Sequence, residues 1–335
     1  MRRRLVIGPS WVGDMILAQP LIARLAEETP GTEVDVLAPP WVLPLVGRMP
    51  GTARGIASPF RHGELALRAR WSLARDLRSA RYEQAVVLPN SAKSALIPWL
   101  AGIPRRTGFR GEYRFGLLND IRALDRAGVP RLVDRFLRLA DGRPPASAPE
   151  PRLTSTDEQR RAVVERLGLA AADRIACLCP GAEYGPAKRW PARHMAGLAD
   201  ALHERGFTVQ LLGSPQDREI GAEIEILAEC PLQNLIGRTS LVEAVDLIAS
   251  ARIVVSNDSG LMHVAAALGR PLIALFGSSS PDYTPPLSPL ARIVRHPVPC
   301  SPCFARECPL GHFDCLRALT PARVLAALDE LETGS

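Results

Sequence analysis

The chain reads as an α/β protein of two doubly wound parallel-sheet domains. Short apolar runs of strand length alternate with helix-length amphipathic stretches throughout, the pattern left by parallel strands joined through crossover helices. At 335 residues the chain exceeds one ordinary core and fits two domains of about 150 residues each. A proline- and alanine-rich stretch, DGRPPASAPEPRL at 141–153, has the composition of a linker, and the alternation restarts beyond it. The domains expected are 1–150 and 151–335.

In the first half, RLVIG, VDVLAP and AVVLPN read as strands, with MILAQPLIARLAEETP and ARDLRSARY as helices between them. The opening MRRRLVIGPSWVGD breaks its hydrophobic run at Pro9 and Asp14, so it reads as a first strand and not a secretory leader. In the second half, TSTDEQRRAVVERLGL is a helix, RIACLCPG a strand, ARHMAGLADALHERG a helix and TVQLLGS a strand. LVEAVDLIASA then reads as a helix, RIVVSND as a strand, GLMHVAAALG as a helix and PLIALFGS as a strand. Each strand ends in a polar or glycine-bearing turn. Ligands of open α/β sheets bind beyond the carboxyl ends of strands, so GPSWVGD, LPNSAKS, CPGAEYGPAKRW, LLGSPQD and SNDSGLMH are the candidate binding loops.

Composition narrows the partners. A net charge of +6 and a pI near 9.2 favour anions, while 5% aromatics supply few platforms for stacking bases. An anionic small molecule or an acidic membrane surface fits better than nucleic acid. No apolar stretch reaches the roughly 18 residues that span a bilayer. The chain lacks GxGxxG and GxxxxGK[ST], which counts against a dinucleotide oxidoreductase and a P-loop NTPase. Cys177, Cys179 and Cys230 lie within strand or helix patterns as small buried residues. Cys300, Cys303, Cys308 and Cys315 form C-x2-C-x4-C-x6-C, a spacing that can close around a structural metal with His312 as a substitute ligand, or pack as reduced thiols.

The 41 Lys plus Arg include two lysines, Lys93 and Lys188, and both fall in candidate binding loops. A lysine kept where arginine is otherwise used suggests a site that needs a compact, rotatable ammonium. In SNDSGLMH, Asp258, Ser259 and Gly260 sit between a strand and an alanine-rich helix. There, backbone N–H groups and the helix dipole can meet a phosphate, a role compatible with plain helix capping. Asp14 lies just past the first strand, where its carboxylate can take a proton from a hydroxyl or merely cap a helix. A carboxylate, a lysine and a helix N-terminus together suit displacement of a phosphate leaving group by a hydroxyl.

GPSWVGDM, PNSAKSALIPWLAGIPRRTGFRGEYR, PGAEYGPAKRWP and NDSGLMHVAAALGRPLIALFG, in this order and spacing, resemble glycosyltransferase family 9, the ADP-heptose:lipopolysaccharide heptosyltransferases. The resemblance covers residues 1–330. It implies a GT-B architecture: two Rossmann-like domains facing a central cleft, acceptor on the first and nucleotide sugar on the second, the last helix packing back on the first. It also implies inverting transfer of L-glycero-D-manno-heptose from ADP-heptose to the first heptose of a Kdo–lipid A inner core. The SWVGD and AEYGPAKRW segments favour that acceptor over the one lacking a heptose; the alternatives are transfer to that heptose-free acceptor or a related family 9 glycosyltransferase with another donor or acceptor, and a non-catalytic nucleotide-sugar sensor is a more distant one. By resemblance Asp14 is the general base and Lys188 contacts the donor diphosphate, with Asp258, Ser259, Gly260 and His263 around diphosphate and heptose. Glu183 and Tyr184 fall on the phosphate side, Gly213 and Ser214 on the ribose side, and Thr239, Ser240 and Leu241 near adenine. Asn90, Lys93, Arg105, Arg106, Arg110 and Arg114, with His62 on the rim, are the acceptor-side candidates, since arginine forks suit the phosphates and carboxylates of the inner core. No catalytic metal or cofactor is expected, and the protein is expected to be cytoplasmic and peripheral on the inner membrane.

Overall fold

The computed structural model describes residues 2–60, 64–142, 145–170 and 172–333. Two compact units emerge, Met1–Leu153 and Thr154–Ser335. The first runs β1 (Arg2–Ile7), α1 (Val12–Glu27), β2 (Thr32–Ala38), α2 (Leu43–Val46), β3 (Arg54–Ala57), α3 (Leu67–Arg78), β4 (Gln84–Val87), α4 (Ala92–Leu100), β5 (Arg105–Phe109), β6 (Asp120–Arg122) and α5 (Leu132–Leu137). The second runs α6 (Asp157–Leu167), β7 (Ile175–Cys179), α7 (Ala192–Glu204), β8 (Thr208–Leu211), α8 (Arg218–Leu227), β9 (Leu232–Asn234), α9 (Leu241–Ser250), β10 (Ile253–Asn257), α10 (Gly260–Ala267), β11 (Leu272–Phe276), β12 (Ala291–Arg295), α11 (Asp314–Arg317) and α12 (Pro321–Thr333).

Both sheets are parallel and share one topology. The first is ordered β3-β2-β1-β4-β5-β6 and the second β12-β11-β10-β7-β8-β9. Counted from the first strand of each unit, both are the doubly wound order 3-2-1-4-5-6, with the reversal of winding between β1 and β4 and between β7 and β10. Leu5 of β1 lies opposite Asp35 and Ala85. Cys177 of β7 lies opposite Val254 and Gln210. Helices on both faces bury these central strands, which is why they read as unbroken apolar runs.

Strands β3, β5 and β6 were not legible as apolar runs, because RGIA, RRTGF and DIR carry charge at partly or fully exposed positions. Helix α1 continues through Pro20. Proline there removes one helical N–H bond, and burial of Met15, Ile16, Leu17, Leu21, Ile22 and Leu25 offsets the loss. The division at Leu153 falls at the end of the proline-rich linker. The apolar face of α12, Val324, Leu328 and Leu331, enters the core of its own unit beside α7 and β12. Among the described residues, no helix is long and apolar enough to cross a membrane.

Candidate functional site

In the second unit the winding reverses between β7 and β10, and the loops after these strands build the site. Buried Asn257 at the end of β10 ties down both ends of the loop after β7. Its Nδ2 donates to Pro180 O at 2.6 Å and its Oδ1 accepts from Trp190 N at 3.2 Å. The Trp190 indole, fully buried, donates to Leu319 O at 2.7 Å. Between these anchors, a 3-10 turn at Pro186–Lys188 aims the lysine back at β10. Lys188 Nζ stands 2.5 Å from Asp258 Oδ2 and 5.1 Å from the Tyr184 ring centroid. Ser279 Oγ, on the loop after β11, donates to the same Asp258 oxygen at 2.5 Å.

The pair is mostly desolvated, with side-chain exposures of 17% for Lys188 and 5% for Asp258. Helix α10 begins at Gly260, and no side chain caps it at Ser259. The positive end of the helix and the ammonium therefore belong to one neighbourhood, as an anion site requires. His263, one turn into α10, is buried, and burial is the main cause that lowers its pKa to about 4. Asp258 opposes that shift and Lys188 adds to it. The imidazole is neutral at physiological pH.

The neighbouring loops carry the remaining expected donor residues, held by two carboxylates, Asp217 and Glu243, that the sequence did not single out. Ser214 caps the turn after β8 through Asp217, whose Oδ2 accepts from Ser214 N at 2.9 Å and Oγ at 2.7 Å. A Cβ at Gly181 would lie 2.4 Å from the Asp217 carboxyl carbon, so only glycine lets the loop after β7 pass this close. The S-P-Q-D spacing is a capping signature by which the sequence could have flagged Asp217. Ser240 likewise caps α9 through Glu243, which holds its hydroxyl at 2.8 Å and its amide at 2.7 Å. Thr239 and Leu241 flank that cap, both half-buried. Glu183 is exposed, and Tyr184 Oη donates to Phe304 O at 2.8 Å.

In the first unit the reversal lies between β1 and β4. Gly8 starts the loop after β1, where a Cβ would meet Met15 Cε at 2.4 Å. That close turn places Asp14, half-exposed, in the first turn of α1. Lys93 lies in the first turn of α4, half-buried, beyond exposed Asn90. Three of the expected acceptor residues are engaged by the chain itself. Arg114, 2% exposed, donates to Pro89 O, Asn90 Oδ1 and Phe109 O, which makes it a structural residue and not an acceptor ligand. Arg105 pairs with Asp120 at 2.8 Å and Asp141 at 2.6 Å, and Arg106 donates to Leu117 O and Ile103 O. Arg110 is exposed, 6.0 Å from the Phe115 ring centroid. His62 lies outside the described residues.

Of the cysteines, Cys177 and Cys179 are buried, and burial pushes the Cys177 thiol up to about 12. They are packing residues. Cys300, Cys303, Cys308 and Cys315 instead line one cavity with His312. Cys300 Sγ lies 3.8 Å from His312 Nε2, and Phe313 N donates to Cys308 Sγ at 3.4 Å. Backbone N–H groups, Phe313 first, lower the Cys308 pKa, whereas burial raises that of Cys315. Among the described residues, no three His, Cys, Asp or Glu side chains already surround a single metal-sized point.

Residues 70–314 match the family described as Glycosyltransferase family 9 (heptosyltransferase). Lipopolysaccharide heptosyltransferase 2 of Escherichia coli (strain K12) is 46% identical over 341 residues, 98% of this chain and 97% of that protein. Lipooligosaccharide heptosyltransferase 2 of Haemophilus influenzae is 46% identical over 305 residues, 87% of this chain and 88% of that protein. The solved structure of E. coli ADP-heptose LPS heptosyltransferase II aligns with a TM-score of 0.90 at 43% identity, covering 100% of this chain and 99% of that one. The chain belongs to glycosyltransferase family 9. It is a glycosyltransferase with the two Rossmann-like domains expected of GT-B enzymes.

Proposed function

We propose that this enzyme transfers L-glycero-D-manno-heptose from ADP-heptose to the first heptose of a Kdo–lipid A inner core, inverting the anomeric centre. The observation that carries the donor half is the Lys188–Asp258 pair beside the uncapped start of α10. A diphosphate there competes with Asp258 for the ammonium and meets the N–H groups of Ser259 and Gly260. As the sugar–phosphate bond breaks, both stabilise charge growing on ADP, so this mechanism uses no metal or cofactor. Neutral His263 donates or accepts one hydrogen bond without adding charge. Glu183, Tyr184, Gly213, Ser214, Thr239, Ser240 and Leu241 border the remainder of the donor.

On the acceptor side, Asp14 removes the proton from the attacking heptose hydroxyl, and Lys93 and Arg110 meet inner-core phosphates and carboxylates. The acceptor is lipid-borne, so the protein works peripherally at the cytoplasmic face of the inner membrane. The exposed face of α3 supports this placement: Leu67 and Trp71 stand among Arg68, Arg75 and Arg78, with Trp99 of α4 also exposed. Arg75 lies 5.3 Å from the Trp71 ring centroid. Apolar rings among cations suit an anionic lipid surface.

The test is a transfer assay on acceptors carrying one heptose or none, using the native enzyme and Asp14→Asn. Turnover on the one-heptose acceptor should fall about 10²–10⁴-fold in the variant, the usual worth of a general base, while ADP-heptose still binds. Preferred transfer to the heptose-free acceptor would assign the first inner-core step instead. Donor binding without transfer to either would leave a sensor.

A further inference from the structure

We propose that Cys300, Cys303, Cys308 and Cys315 hold one thiophilic divalent ion, of the zinc or ferrous class, as a structural clip that positions the Lys188 loop. The spacing places four thiols in one irregular segment, and the fold brings all four to one cavity. Apart from hydrogen bonds, the segment has little apolar burial to fix it. From Cys300 to Phe313 it forms no helix or strand, and Phe304 and Leu310 are 52% and 63% exposed. Ordering such a stretch costs backbone entropy at every residue, with few buried apolar contacts to offset it. A tetrathiolate ion supplies that cross-link. One of the four sulfurs, Cys308 Sγ, also accepts from Phe313 N at 3.4 Å, at the far end of the segment.

The clip has a specific load. Between Cys303 and Cys308 runs the stretch that supports the lysine loop. Arg306 O accepts from Ala187 N at 3.0 Å, and Phe304 O accepts from Tyr184 Oη at 2.8 Å. Gly185, at φ +155°, passes so close that a Cβ there would lie 2.4 Å from Arg306 O. On its other side the segment binds the loop after β11, with Phe304 N donating to Ser278 O at 2.7 Å and Ser301 Oγ to Gly277 O at 2.6 Å. The next residue, Ser279, holds Asp258. Both members of the Lys188–Asp258 pair are thus buttressed by the cysteine segment. Drawing the thiolates to about 2.3 Å from an ion fixes the carbonyls of Phe304 and Arg306.

This inference rests on the anion site at Lys188 and not on the identity of the sugar or acceptor. Protein purified anaerobically with reductant should carry roughly one tightly held ion by elemental analysis, as four-ligand sites do. The same analysis separates zinc from iron. After exchange, cobalt(II) should show intense thiolate charge-transfer absorption that Cys308→Ser weakens and His312→Ala retains. Removing the ion under reducing conditions should weaken ADP binding by about 5-fold or more, the lower end of coupling between linked sites, and re-adding it should restore binding. A metal-free protein with four reactive thiols and no cobalt–thiolate band overturns the site. Loss of the ion in His312→Ala overturns the four-thiolate ligand set. Unchanged ADP affinity after removal overturns the clip. Metal content and cobalt absorption do not depend on transfer, so they stand or fall separately from the heptosyltransferase reading.

Discussion

Lys188 Nζ and Asp258 Oδ2 meet at 2.5 Å across the point where the second sheet reverses its winding, one from the loop after β7 and one from the end of β10. Such a pair gains Coulomb energy but loses hydration from both ions, so its net worth to stability is small, whereas removing one partner strands the other. Ser279 holds the carboxylate and the carboxylate holds the lysine, so in the proposed donor site a diphosphate would meet an ammonium already ordered.

Replacing Lys188 should therefore have separable effects. Lys188→Ala leaves Asp258 buried without its cation and should cost about 3 kcal/mol, the low end for a broken buried pair because Ser279 still donates. Lys188→Ala/Asp258→Ala should recover most of that loss in urea unfolding. Lys188→Arg should keep the stability but lose about 10²–10³-fold in kcat, as when a donor to a developing anion is misplaced. Wild-type turnover in Lys188→Arg would show that charge alone suffices, and wild-type turnover in Lys188→Ala would remove the residue from the mechanism.

His263 gives the site a pH signature. Its folded pKa of about 4 lies below the ordinary value of 6.5, so the unfolded chain binds the proton more readily. Stability from this group is complete above pH 6.5 and is lost as pH falls toward 4, by about 3 kcal/mol in all. Carboxylates titrate in the same window, so the measure is a difference: the loss of stability between pH 7 and pH 4.5 should be smaller in His263→Gln than in the native protein. Equal losses would mean that protonation of His263 does not couple to folding.

The sequence made the central strands and the candidate loops legible because both domains bury those strands on two faces and end them in polar turns. Lys188 and Asp258 were each visible as loop residues, but their ion pair was not, since it depends on how β7 and β10 lie side by side. Asn257 acts by satisfying backbone groups at both ends of another loop, a role with no sequence signal of its own, and Asp217, which holds Ser214 within one turn, had only the short S-P-Q-D cap to announce it. Arginines misled for the opposite reason. A guanidinium has five donors, and Arg114 uses them on oxygens within 25 residues of itself, where a sequence shows only charge.

That distinction predicts two phenotypes in the first unit. Arg114→Ala removes a buried donor from Pro89 O and Phe109 O and should destabilise the protein by about 2 kcal/mol or more, whatever happens to the acceptor. Lys93→Ala should leave the unfolding midpoint within about 0.5 kcal/mol of native, as a partly exposed side chain does, yet raise the acceptor KM about 10-fold, the worth of one charge-assisted contact. Acceptor KM unchanged in Lys93→Ala would place the anionic groups of the inner core elsewhere.

The face of α3 should report membrane attachment without reference to catalysis. Vesicles containing anionic lipid should retain the protein at low salt and release it as ionic strength rises, because each exposed arginine near such a surface contributes about 1 kcal/mol that salt screens. Arg68→Glu/Arg75→Glu should lower the partition coefficient at least about 10-fold by that measure, and Trp71→Ala should weaken binding even at high salt, where the apolar contribution persists. Neither change touches a residue of the donor site, so ADP affinity in solution should stay native. Retention of the charge-reversed variant on anionic vesicles would move the contact to another face, and equal binding of native protein to neutral vesicles would make the attachment apolar and not electrostatic.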